Sequence, residues 1–79
     1  MKLPRDISAT DLIKALKKYH YISTRQSGSH IRLTTQEKGE HHLTIPNHDP
    51  IKIGTLSAIL QSVAEHLNKS KEEIINELF

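Results

Sequence analysis

Apolar positions at helical spacing open the chain. Leu12, Ile13, Leu16 and Tyr19 recur with the 3.6-residue period and predict a helix over residues 9–19, with Lys14, Lys17 and Lys18 on its wet side. Ser8 and Asp11 form a near capping box, and Asp11 stands where the helix dipole favours an anion. Beyond Tyr19 the period shortens to two. It predicts three short strands at about 21–26, 29–36 and 40–46. Leu56, Ile59, Leu60, Val63, Ala64 and Leu67 then restore the helical period over 54–67, and Asn68 and Lys69 close it. Ser70 with Glu73 is a capping box that opens a short terminal helix, with Ile74, Ile75, Leu78 and Phe79 on its apolar side.

Strand registers follow from the rule that directly opposed residues share a face, so apolar must meet apolar. In the second hairpin the rule pairs Ile31 with Ile45 and Leu33 with Leu43. Glu37, Lys38 and Gly39 are left as a three-residue loop, with Gly39 where a left-handed residue is needed. In the first hairpin it pairs Ile22 with Leu33 and Thr24 with Ile31, leaving Ser27-Gly28 as a two-residue turn. Ile22, Thr24, Ile31, Leu33, Leu43 and Ile45 then form a face that helices must cover. Tyr21, Ser23, Arg25, His30, Arg32, Thr34, His42 and Thr44 form the opposite, polar and basic face. The expected fold is α+β: α-β-β-β-α plus a short C-terminal helix, all helices on one face of a three-stranded antiparallel sheet. Double-stranded-RNA-binding domains use this arrangement.

Seventy-nine residues suit a single domain, 1–79, with one small core. There is no cysteine, which removes disulfides, Cys-based zinc sites and thiol nucleophiles. The N-terminal residues contain no apolar leader segment, and no apolar run reaches membrane-spanning length, so a cytoplasmic location is expected. The net charge of +2 is uneven. Residues 1–60 carry nine Lys/Arg against five Asp/Glu, and residues 61–79 carry two Lys against four Glu. A basic body with an acidic tail is compatible with nucleic-acid binding, although an ordinary solvated surface has the same look. Only Tyr19, Tyr21 and Phe79 are aromatic, which argues against a base-stacking platform of the RRM or OB type.

The chemistry concentrates at Arg25-Gln26-Ser27-Gly28-Ser29-His30-Ile31-Arg32. An imidazole titrates near neutrality and guanidinium groups suit phosphate. In the derived register Arg25 lies directly across from His30. Pro46 opposes His30 on the other side, and His48 falls diagonally near, in the loop 47–50. A phosphate at that corner meets Arg25, Arg32 and His30, while Ser27, Gly28 and Ser29 supply the turn. His30 is then a candidate general base or proton shuttle for RNA cleavage by the substrate's own 2′-hydroxyl, with His48 as a complementary acid. Lys14, Lys17 and Lys18 are candidates for tracking the phosphate backbone. Each has a plainer reading: an exposed strand histidine, a hydrogen-bonded turn at His48 and Asp49, a wet helix face. His41 and His42 alternate across their strand and cannot share one ion. His20 and His66 lie near helix C-termini, where capping is the ordinary explanation. No metal-ligand or phosphate-loop motif is present, and neither metal nor cofactor is expected.

Four stretches together resemble the HicA-type toxins of bacterial toxin–antitoxin systems, in the family's order over about residues 3–64. They are Leu12-Ile13-Lys14-Ala15-Leu16-Lys17-Lys18, Arg25-Gln26-Ser27-Gly28-Ser29-His30, Ile45-Pro46-Asn47-His48 and Gly54-Thr55-Leu56-Ser57-Ala58-Ile59-Leu60. The resemblance implies a double-stranded-RNA-binding-like fold and a metal-independent endonuclease acting on single-stranded mRNA. It also implies a HicB-type antitoxin that covers the active site. The family's catalytic histidine maps onto His30, and its histidine after the third strand onto His48. Where the family usually has glycine after the first helix, this chain has Tyr19-His20-Tyr21, which implies a different helix cap. Other readings of the same fold are a non-catalytic RNA-binding module and a protein-interaction domain.

Overall fold

The computed structural model describes residues 3–79; Met1 and Lys2, part of the N-terminal run read for a leader, lie outside the described residues. The first helix, α1 (Ala9–Leu16), starts at Ser8, whose hydroxyl accepts the Asp11 N–H at 3.0 Å. It tightens into a 3₁₀ turn, Lys17–Tyr19, and stops at His20. His20 takes a left-handed conformation, φ 66°, so it occupies the backbone state that glycine favours. Histidine tolerates that state better than most side chains. Its Nδ1 sits 2.7 Å from the Glu37 carboxylate, so the imidazole links to the sheet's loop instead of capping carbonyls.

Strands β1 (Ile22–Ser27), β2 (His30–Thr35) and β3 (His41–Pro46) form one antiparallel sheet in the order β1-β2-β3. Then come α2 (Ile53–Leu67) and α3 (Lys71–Leu78). The architecture is the expected α+β one. Leu12, Leu16, Leu33, Ile45, Leu56, Leu60, Val63, Leu67 and Ile74 are buried together between the helices and one sheet face. At about 25 cal/mol per Å² of apolar area removed from water, this cluster is the main source of stability. All six residues of the predicted α2 stripe are buried. Asn68 ends α2 in a left-handed conformation, and the Ser70–Glu73 capping box opens α3 as the spacing requires. The Glu77 carboxylate accepts from the Tyr19 hydroxyl and from Lys69 Nζ at 2.9 Å, which ties α3 to the end of the first helix.

The second hairpin has the predicted register: Ile31 opposes Ile45 and Leu33 opposes Leu43. Its loop turns through Lys38 at φ 56° and Gly39 at φ 101°. The first hairpin corrects the expectation. Ser23 opposes Leu33, Arg25 opposes Arg32, Gln26 opposes Ile31 and Ser27 opposes His30, with Thr24 as the extra residue of a β-bulge. The two-residue turn is Gly28-Ser29, not Ser27-Gly28. Gly28, at φ 58°, takes the first central position, where a turn with a single positive φ requires glycine. The faces of β1 change accordingly. Tyr21 is fully buried, while Ile22 is 59% exposed. A tyrosine ring offers more area to the core than Ile22, and its hydroxyl finds a partner in His41 Nδ1 at 2.8 Å.

Candidate functional site

The sheet face turned away from the helices is open. Along β2 it presents His30, Arg32 and Thr34; along β3, Thr44 and His42. From β1, Ser27 stands across from His30 and Arg25 directly across from Arg32. Arg25 is therefore diagonal to His30, not opposite it, because the bulge and the shifted turn move the register. The corner is still shared: Arg25, Ser27, His30 and Arg32 lie on one face and all are exposed. His30 and Arg32, two residues apart on a strand, are about 6.6 Å apart in Cα position.

The opposition of Arg25 and Arg32 has an energetic sign. Like charges directly across a strand pair cost roughly 0.2–1 kcal/mol. Among the described residues the carboxylates of Glu37, Glu40 and Glu77 lie against His20, His42 and Lys69, so no carboxylate offsets either guanidinium. Two fork-shaped donor groups side by side in this way suit an anion such as phosphate.

The loop after β3 stays close to the same corner. His30 opposes Pro46 as expected, and the Asn47 N–H donates to the Ser29 carbonyl at 2.6 Å. The His48 N–H turns back to the Pro46 carbonyl at 2.8 Å, and its own carbonyl accepts from Ala9 N at 3.0 Å. The backbone of His48 is pinned while its side chain is exposed. Ser29 also sits in the turn that Gly28 makes possible.

The three lysines lie elsewhere. Lys14, Lys17 and Lys18 are exposed on the first helix and its 3₁₀ turn, in the layer that packs on the opposite sheet face. Lys18 Nζ donates to the Glu77 carbonyl at 3.0 Å, a structural bond to α3. The structure does not bring these lysines to the His30 corner. A shallow depression lined by Arg5, Asp6, Pro50, Ile51, Lys52 and Ile53 contains none of the predicted site residues.

His41 and His42 point to opposite faces, as the strand period requires. His42 joins the open face, with Nδ1 2.8 Å from Thr34 Oγ1 and Nε2 2.8 Å from the Glu40 carboxylate. His41 turns towards the helices and stacks on His66, with its Nε2 3.3 Å from Ser62 Oγ. Burial, then the positive charges that His66 and His42 can carry, hold the His41 imidazole below its ordinary pKa. The Tyr21 phenol beside it is pushed up to about 12, mainly by burial. His66 is not a helix cap either. Its Nε2 lies 2.8 Å from the Glu37 carbonyl and 3.1 Å from that of Gly39, so it holds the β2–β3 loop. Both contacts escaped the sequence reading. The available signal was that His41 shares the parity of Leu43 and His66 follows Val63 by three, which puts both on core-facing positions. Among the described residues no group of three or more His, Cys, Asp or Glu side chains could hold a metal ion, and no helix is long and apolar enough to cross a membrane.

Comparison with known proteins bears on the whole arrangement. No curated protein and no solved structure matches the chain. The family model of the HicA toxin of bacterial toxin–antitoxin systems matches residues 9–64, from the first residue of α1 to near the end of α2, and so spans the entire sheet and the His30 corner. With well over half of its residues inside that match, the chain belongs to the HicA toxin family.

Proposed function

We propose that this protein is an RNA endonuclease that cleaves single-stranded mRNA, with His30 as the group that moves the proton. The observation that carries the reading is the unpaired Arg25–Arg32 opposition on an open face, with His30 two residues along the central strand. An RNA phosphate seated on the two guanidiniums brings the adjacent ribose 2′-hydroxyl towards the imidazole. His30 takes that proton, the 2′-oxygen attacks phosphorus, and the 5′-oxygen of the next nucleotide leaves as it is protonated. The arginines offset charge as it builds on the phosphoryl oxygens. His48, tethered by its backbone just past β3, is the nearest candidate for protonating the leaving oxygen. The products are a 2′,3′-cyclic phosphate and a 5′-hydroxyl. No metal or other cofactor takes part in this scheme.

Membership of a toxin family supports a protein partner as well: a HicB-type antitoxin that covers the open face and withholds it from mRNA. The location that fits this target is the cytoplasm.

The test is to incubate purified wild type and His30→Ala with single-stranded mRNA in the presence of EDTA and to analyse the fragment ends. Wild type yields fragments ending in cyclic phosphate, and His30→Ala yields none while keeping the wild-type melting temperature. Intact RNA with the wild type, or equal cleavage by His30→Ala, overturns the assignment.

A further inference from the structure

Four side chains on the open face are joined in one hydrogen-bonded chain across all three strands. Thr24 Oγ1 lies 3.0 Å from Thr34 Oγ1, Thr34 Oγ1 lies 2.8 Å from His42 Nδ1, and His42 Nε2 lies 2.8 Å from Glu40 Oε2. The β-bulge brings Thr24 into this chain, since it turns that side chain to the open face. None of the four is needed for the chemistry at His30. Thr34 is four residues from His30 along β2, about 13 Å at strand rise, with Arg32 between them.

The chain has a direction. The Glu40 carboxylate is acceptor-only, so a neutral His42 gives it the Nε2–H and keeps its lone pair on Nδ1. Thr34 must then donate its hydroxyl hydrogen to His42. Thr34, its one hydrogen spent, can only accept from Thr24, whose own hydrogen is shared between Thr34 Oγ1 at 3.0 Å and the Arg32 carbonyl at 3.4 Å. With His42 neutral, Thr24 has spent its one hydrogen on Thr34 or on the Arg32 carbonyl, and its oxygen is left at the outer end with a lone pair free. Beside it, Ile22 opposes Thr34 and is 59% exposed, a flat apolar surface next to a hydrogen-bond acceptor.

We propose that Ile22, Thr24 and the Thr34–His42–Glu40 chain form a nucleobase subsite that selects a base carrying an exocyclic amino group. The base packs a ring face on Ile22 and donates its amino hydrogen to Thr24 Oγ1. His42 and Glu40 act as positioning residues, because they fix which atom of the hydroxyl chain faces outward. Adenine, cytosine and guanine each carry such an amino group; uracil has none, and its 4-carbonyl meets an acceptor with an acceptor. A single strand is the required occupant, since its unstacked bases can lie against the sheet. The charge of the face agrees, because Arg25 and Arg32 stand between this patch and His30 and lead a phosphate backbone from one to the other. The subsite rests on the reading of this face as an RNA surface, but not on cleavage.

The test measures binding of fluorescein-labelled poly(A), poly(C) and poly(U) by anisotropy, together with mapping of cleavage sites on one mRNA. Wild type binds poly(A) or poly(C) roughly fivefold more tightly than poly(U), the discrimination expected of one neutral hydrogen bond. Thr24→Val and His42→Ala bring that ratio to about one. Both variants still cut RNA, but with the base preference at one fixed offset from the cut lost. Their melting temperatures stay at the wild-type value, because Thr24 and His42 are exposed. If no RNA is cleaved yet the ratio collapses, the endonuclease reading fails and the subsite stands. If the ratio and the cut sites are unchanged in both variants, or no homopolymer binds, the subsite is overturned. Variants that keep both but lose affinity for the antitoxin assign the patch to the protein partner and overturn it equally.

Discussion

The imidazole of His41 lies flat against that of His66, with ring centroids 4.3 Å apart and planes 10° from parallel. One ring is bonded to Tyr21 and Ser62, the other to carbonyls of the β2–β3 loop, so the pair fastens that loop to α2. Within the pair, burial favours the neutral form of His41. The unfolded chain takes up a proton at His41 near its ordinary value of 6.5, whereas the folded chain resists it. Below that pH the unfolded state binds more protons, so stability falls with acid and this contribution is flat above about pH 6.5. The melting temperature should therefore drop as pH is lowered from about 6.5 to about 5, and His41→Gln should flatten that drop. An equal acid slope in wild type and variant contradicts the assignment.

Arg25→Ala and Arg32→Ala should each slow RNA cleavage by about tenfold or more, the effect of losing roughly 1.4 kcal/mol of transition-state stabilisation. Neither should lower stability. Relief of the like-charge opposition should instead raise it by a few tenths of a kcal/mol, up to about 1. Urea melts beside cleavage rates separate the two effects. A loss of about 2–5 kcal/mol, as for truncating a core leucine, would assign the arginine to the architecture.

Replacing Lys14 and Lys17 together by Gln should leave cleavage within about twofold of wild type, since exposed charges beyond a Debye length of roughly 8 Å are largely screened. Both lysines stand in the helix layer, behind the sheet as seen from His30. A tenfold loss would mean that RNA wraps around to that layer.

Gly28→Ala should destabilise the domain by about 1–2 kcal/mol. Nothing lies within 4 Å of the position a Cβ would take, so the cost is the backbone conformation at φ 58° and not a clash. A denaturant midpoint equal to wild type would show that the turn can be rebuilt around a non-glycine residue.

These outcomes also mark what the sequence could convey. The second hairpin was legible because Ile31, Leu33, Leu43 and Ile45 constrain it from both strands. A one-residue slip would turn every one of them to water. In the first hairpin β1 has Ile22 as its only aliphatic residue, and one anchor on a strand does not define a register. Tyr21, able to bury a ring and still bond its hydroxyl, outcompeted it for the core. The corner at His30 survived the error because Arg25, Ser27, His30 and Arg32 keep one parity in the observed register. The His41–His66 stack joins residues far apart in the chain, and only the packing of α2 on the sheet sets its geometry.

No side chain of β1 is buried. The strand is held by its backbone ladder to β2. Backbone amides in such a strand open without disturbing the core, so hydrogen exchange along residues 22–27 should outpace that of β2. His30 and Arg32 belong to the slow strand, Arg25 and Ser27 to the fast one. On the endonuclease reading proposed above, His30 and Arg32 stand on the central strand, which is laddered on both sides, while Arg25 stands on an edge strand with one neighbour.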